Sequence, residues 1–152
     1  MVWMRFSRSN PPRNSALILL VDDNRDGVLA RQSVLEELGY QVVPAHCGAD
    51  ALQWVEKQLF DLVITDYKMW PMDGLELIAE LRRREFASPI ILLSGFADSI
   101  GLRPENTGAD SVIQKSANEI STLLRQTTRL LSPKKPAASS RSKPRARSAG
   151  QS

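Results

Sequence analysis

The sequence predicts an α/β fold of the doubly wound kind, an open five-stranded parallel sheet with helices on both faces. Two observations carry this expectation. Between Ala16 and Leu131, short apolar runs alternate five times with segments whose apolar residues recur at helical spacing, the pattern of strand–helix repeats. Several of the runs are bare aliphatic stretches rather than alternating ones, as strands covered on both faces are.

The first strand is expected at Ala16–Val21, followed by Asp22 and Asp23. Val28, Leu35 and Leu38 then share a helical face, and Gly39 stands where a left-handed cap would end that helix. The second strand is Gln41–Ala45, and Leu52, Val55 and Leu59 mark the second helix. The third strand, Leu62–Thr65, runs into Asp66 and is followed by Leu75, Ile78 and Leu81 on one face. The fourth, Ile90–Leu93, runs into Ser94. Its crossover, Ser99 to Thr107, holds Gly101 and Pro104 and no clear apolar stripe, so any helix there should be short or broken. The fifth strand, Ser111–Gln114, runs into Lys115, and Ile120, Leu123, Leu124, Thr127 and Leu131 define the last helix. No internal repeat is present.

The 152 residues suit one domain of ordinary size, expected over residues 16–131. Charge divides the chain in three. Residues 1–15 carry Arg5, Arg8 and Arg13 and no acid, and read as a flexible extension. Residues 132–152 carry Lys134, Lys135, Arg141, Lys143, Arg145 and Arg147 and again no acid. This tail has no Leu, Ile, Val or aromatic residue and is expected to be disordered. The nine basic residues at the ends leave eleven for the middle, which holds all 17 acids and so carries a net charge of −6. The tail's six charges suit salt-sensitive contact with nucleic acid or an acidic partner, though no recognition helix or zinc finger accompanies them. The one cysteine, Cys47, excludes an internal disulfide and a multi-cysteine metal site. No stretch approaches the roughly 18 apolar residues of a membrane span. Ala16–Val21 is too short, and too acidic behind, for a secretory signal. A cytoplasmic protein without membrane insertion is expected.

In a doubly wound sheet the chemistry gathers at the carboxyl ends of the strands. Here those ends carry Asp22 and Asp23, Asp66, Ser94 and Lys115. Clustered carboxylates favour a hard divalent cation such as Mg²⁺. A hydroxyl and an ammonium opposite the metal would grip phosphoryl oxygens, and a central carboxylate can itself be the nucleophile, giving an aspartyl phosphate. Flavin-phosphate binding fits less well, since Asp22–Asp23 stands where a Gly-rich loop is needed. A haloacid-dehalogenase-type phosphatase would want a second Asp two residues past its nucleophile, where Lys68 stands. His46, after the second strand, reads as a loop residue and Cys47 as structural.

The runs VDDN (Val21–Asn24), ITDYKMWPMDGLEL (Ile64–Leu77), LLSGFAD (Leu92–Asp98) and GADSVIQK (Gly108–Lys115) resemble the receiver domain of bacterial two-component response regulators, over residues 16–131. The resemblance implies the flavodoxin-like (βα)5 receiver fold, with Asp66 as phosphoacceptor. It makes Asp23 a direct Mg²⁺ ligand, Asp22 a ligand mainly through water, and the backbone carbonyl of Lys68 a further ligand. Ser94 would bond one phosphoryl oxygen and Lys115 pair with another, with the small Gly95 leaving the site accessible. The implied partner is a sensor histidine kinase or a histidine phosphotransfer protein. The implied output is protein–protein contact, and the only chemistry is the protein's own phosphorylation and dephosphorylation. The rival readings are a phosphate-independent interaction module and a tail-mediated nucleic-acid or scaffold binder. The chain departs from the family pattern at Val112, where receivers usually carry an aromatic residue. It departs again at Ser116, where most have proline, so a trans Lys115–Ser116 bond is expected.

Overall fold

The computed structural model describes residues 15–95 and 97–132. Apart from Ser15 and Ser132, the expected N-terminal extension and basic tail lie outside the described residues. The elements run β1 (Leu17–Val21), α1 (Arg25–Glu37), β2 (Gln41–Ala45), α2 (Gly48–Lys57), β3 (Leu62–Asp66) and α3 (Gly74–Arg83). They continue with β4 (Ile90–Ser94), α4 (Ala97–Ile100), α5 (Pro104–Thr107), β5 (Ser111–Gln114) and α6 (Glu119–Leu131). The five strands form one parallel sheet in the order β2-β1-β3-β4-β5.

Successive side chains of a strand point to opposite faces, so the two layers of helices receive alternate residues. Leu19, Val21, Val63 and Leu92 face a core completed by Leu52 of α2 and by Leu77, Ile78 and Leu81 of α3. Ile18, Leu20, Ile64, Ile91 and Ile113 face the other, with Val28 and Leu35 of α1 and Leu123 of α6. Every residue of β3 and β4 is buried, which is why these runs carry no polar alternation and turn polar only at Thr65 and Asp66 in β3 and at Ser94 in β4. At roughly 1.5–3 kcal/mol for each large apolar side chain, this two-sided burial is the main force holding the strand ends in register.

Several boundaries differ from the sequence-based expectations. β1 starts at Leu17, and β3 and β4 each continue one residue further, taking in Asp66 and Ser94. Leu38 lies at the C-terminal cap of α1 and is partly exposed, outside the buried stripe. α2 stops at Lys57 because Gln58 is extended, which carries Leu59 off the helix to 92% exposure. Gly39 has φ +98°, the expected left-handed residue after α1. The fourth crossover is broken as expected. Gly101 at φ +71° ends α4, Pro104 starts α5, and Gly108 at φ +81° caps it.

Candidate functional site

Each candidate residue is placed by the sheet ladder. The Asp22 amide donates to the Ala45 carbonyl (3.0 Å), extending the β1–β2 pairing by one residue. Asn24 then turns the chain into α1. Its side chain accepts from the Gly27 amide (3.0 Å) as N-cap, and its own amide donates to Asp22 Oδ1 (2.9 Å). The acidic pair is thus held by the cap of the following helix.

Asp66 closes β3, and the Tyr67 amide donates to the Leu93 carbonyl (2.7 Å), fixing the strand end against β4. Lys68 follows in the loop with its side chain exposed. Gly74 brings α3 back over this loop and donates to the Tyr67 carbonyl (2.7 Å). A Cβ on Gly74 would collide with the Asp66 carbonyl oxygen and lie 2.9 Å from both Leu92 Cδ1 and Tyr67 Cα, so only glycine permits this approach. Asp73 and Glu76 form a reciprocal capping box at the start of α3, the Asp73 side chain accepting from the Glu76 amide and the Glu76 side chain from the Asp73 amide. Ser94 ends β4 fully buried, and the Lys115 amide donates to its carbonyl (2.9 Å). Among the described residues beyond its chain neighbours, none comes within 4 Å of where a Cβ on Gly95 would lie.

The fold brings Asp22, Asp23 and Asp66 together, one oxygen of each lying within 4.8 Å of the others. Asp22 and Asp66 are buried and Asp23 is exposed. The Lys115 ammonium pairs with Asp66 Oδ1. The ammonium is the partner of that buried oxygen, though not in ideal hydrogen-bond geometry. Burial pushes the Asp66 carboxyl above its ordinary 3.8. Lys115 opposes the rise, the negative Asp22 adds to it, and Arg31 opposes it from further off. Three convergent carboxylates, two of them buried, fit a hard divalent cation.

The structure also reveals residues that the sequence reading missed. Arg31 of α1 is buried and donates from Nη1 to Asp22 Oδ2 (2.7 Å) and from Nε to Glu119 Oε2 (2.6 Å) at the start of α6. Burial works to lower the guanidinium's pKa, but Glu119 and Asp22 together leave it raised. A signal was present: Arg31 stands three residues after Val28 and four before Leu35, on the helical face that is otherwise apolar. Gln114 clamps the loop after β4, donating to the Gly95 carbonyl (2.8 Å) and accepting from the Asp98 amide (2.9 Å). Nothing local in the sequence marks it.

Other expectations resolve simply. His46 is an exposed loop residue, and Cys47 Sγ caps α2 by accepting from the Asp50 amide (3.4 Å). Val112 packs at the margin of the core. The cis peptide among the described residues is Trp70–Pro71, so Lys115–Ser116 is trans as expected. No helix among the described residues is long and apolar enough to cross a membrane.

Comparison with known proteins agrees with this geometry. The family profile described as response regulator receiver domain matches residues 18–126. The transcriptional regulatory protein ZraR of Salmonella typhimurium is 38% identical over 80 residues, which cover 53% of this chain and 18% of ZraR. This chain therefore spans less than a fifth of that relative. The crystal structure of response regulator protein TrrA from Thermotoga maritima, in complex with Mg²⁺ and BeF, is similar with a TM-score of 0.68 and 31% identity. The match covers 76% of this chain and 99% of TrrA. Chemotaxis protein CheY4 of Vibrio cholerae matches with a TM-score of 0.68 and 29% identity, over 77% of this chain and 99% of CheY4.

Proposed function

Because the chain belongs to the family of response regulator receiver domains, we propose that it accepts a phosphoryl group on Asp66 from a phosphohistidine of a sensor kinase or phosphotransfer protein. One observation carries this reading: among the described residues, Asp66 is the one carboxylate buried beside two others and in contact with an ammonium.

In the transfer, an Asp66 carboxylate oxygen attacks phosphorus in line with the departing imidazole. The P–N bond breaks and a P–O bond forms, and because the phosphoimidazole already carries a proton on its other ring nitrogen, it leaves as neutral imidazole. The sheet ladder holds Asp66 rigidly, so the nucleophile is oriented before the donor arrives. Lys115, already against Asp66, offsets negative charge on one equatorial oxygen, and the Ser94 hydroxyl is the donor for another. Asp22, Asp23, Asp66 and the carbonyl of Lys68 would hold Mg²⁺, which when bound neutralises charge on the phosphoryl oxygens. Asp22 has both oxygens engaged, by the Asn24 amide and by Arg31, which suits a ligand acting through water, whereas the exposed Asp23 suits direct ligation. Phosphorylation changes the charge at the sheet edge, and the altered domain signals by protein–protein contact. The chemistry is the protein's own phosphorylation and dephosphorylation rather than turnover of a small substrate.

The test is incubation of purified protein with a small acyl phosphate or a phosphohistidine donor, with and without Mg²⁺, beside Asp66→Ala. Label requiring both Mg²⁺ and Asp66 is expected. Absence of label in folded protein that binds Mg²⁺ overturns the reading and leaves a phosphate-independent contact module.

A further inference from the structure

We propose that Arg31 is a positioning residue that sets the affinity of the acidic site for a divalent cation, and that Glu119 sets how strongly the Arg31 charge is felt there. The inference rests on the reading of Asp22, Asp23 and Asp66 as a cation site.

Arg31 occupies the middle of the buried α1 stripe, with its side chain 8% exposed and those of Asp22 and Glu119 at 3% and 14%. An apolar residue would continue the stripe from Val28 to Leu35 without the desolvation that a buried guanidinium carries, so packing alone does not account for an arginine here. α1 also makes room for it. Gly27 stands one turn earlier, and a Cβ there would lie 3.0 Å from Arg31 Nη1 and 3.2 Å from Asp22 Oδ2. Glycine is a poor residue for a helix, and at this position it leaves space for the guanidinium beside the carboxylate.

The consequences are electrostatic. Arg31 fixes Asp22 Oδ2 while the Asn24 amide fixes Oδ1, so this carboxylate is held in one orientation before any cation arrives. The same guanidinium places a positive charge roughly 6 Å from a cation that shares Asp22, and even under water-like screening, at a dielectric of ~80, the repulsion of a divalent ion weakens binding by about tenfold. Glu119 draws on the other side of the guanidinium and moderates that repulsion. Cation binding and the α1–α6 pairing are therefore linked, each altering the other by the same factor.

Calorimetric titration of the full chain with MgCl₂ at fixed ionic strength tests this on the wild type, Arg31→Met, Glu119→Gln and Arg31→Lys. Circular dichroism verifies that each variant is folded. Arg31→Met should lower the Mg²⁺ dissociation constant about tenfold, because the opposing charge is gone. Glu119→Gln keeps an acceptor for Nε but removes a negative charge, and should raise the constant about threefold. Arg31→Lys keeps the charge and should stay within about threefold of the wild type. Unchanged constants in folded Arg31→Met, or shifts of the same sign in Arg31→Met and Glu119→Gln, would overturn the proposal. If Arg31→Met does not fold, Glu119→Gln decides alone, and an unchanged or lowered constant overturns it. A wild type that binds no Mg²⁺ overturns the cation-site reading and this inference with it, whereas a wild type that binds with insensitive variants overturns this inference only.

Discussion

Asp66→Asn keeps the shape of a buried side chain and deletes one charge from a cluster of three carboxylates. At 4.8 Å, the outer bound of their separation, Asp66 and Asp22 repel by about 3 kcal/mol at an effective dielectric of ~20, and burial adds to the penalty on the charged form. Lys115 and Arg31 return part of it, but the raised pKa of Asp66 says that the penalties win. With part of that repulsion returned, asparagine should stabilise the metal-free protein at neutral pH by about 1–2 kcal/mol, or about 4–8 °C in Tm for a domain near this size. The pH dependence follows from the same shift. A carboxyl whose folded pKa lies above its unfolded value costs nothing while both states are protonated. It costs progressively more as pH rises from about 3.8 through the folded value. Wild type and variant should therefore converge in acid and separate toward neutrality. Added Mg²⁺ should close the gap from the other side, stabilising the wild type by mass action and the variant less. Urea unfolding at pH 3.5 and pH 7, with and without Mg²⁺, measures all four quantities. An asparagine variant less stable than the wild type at pH 7 without metal, or a gap of equal size at both pH values, refutes the reasoning.

Gly74→Ala forces α3 away from the Asp66 carbonyl and from Leu92, and should cost about 2–4 kcal/mol in urea unfolding, with slowed phosphorylation of Asp66. Leu59→Ala should leave stability within about 0.5 kcal/mol, whereas Leu81→Ala, at a fully buried position, should cost about 2–5 kcal/mol by the same assay. Amide chemical shifts recorded with and without a phosphate mimic should move at Arg31 of α1 as well as at Glu119 of α6. Changes confined to α4, α5, β5 and α6, with none at Arg31, would contradict this link between the site and α1.

The sheet was readable because its strands are buried on two faces. A run such as Ile90–Leu93, four residues long and bounded by Pro89 and Ser94, is too short for a buried helix and reads as a strand, and each chemically distinctive residue follows its run directly. The candidate carboxylates and Lys115 were readable for the same reason, since the ladder that ends a strand also places the next side chain. Arg31 and Gln114 were harder because their meaning is tertiary. The Arg31–Glu119 pair joins positions 88 residues apart, and Gln114 acts on a loop that it meets only across β4. Leu59 was misassigned because no Gly or Pro marks the end of α2; the helix stops through the backbone of Gln58 alone.

Strand order also divides the site by mechanical security. β1, β3 and β4 each have two hydrogen-bonded neighbours, whereas β5 has one and lies at the rim of the sheet. Asp22, Asp66 and Ser94 therefore end strands paired on both sides, and Lys115 follows one paired on a single side, where local opening is easier. When β5 and α6 detach, the ammonium leaves and the carboxylates stay in place, so transient opening at the rim converts a balanced site into a bare anionic one. Hydrogen exchange at β5 amides would time these openings.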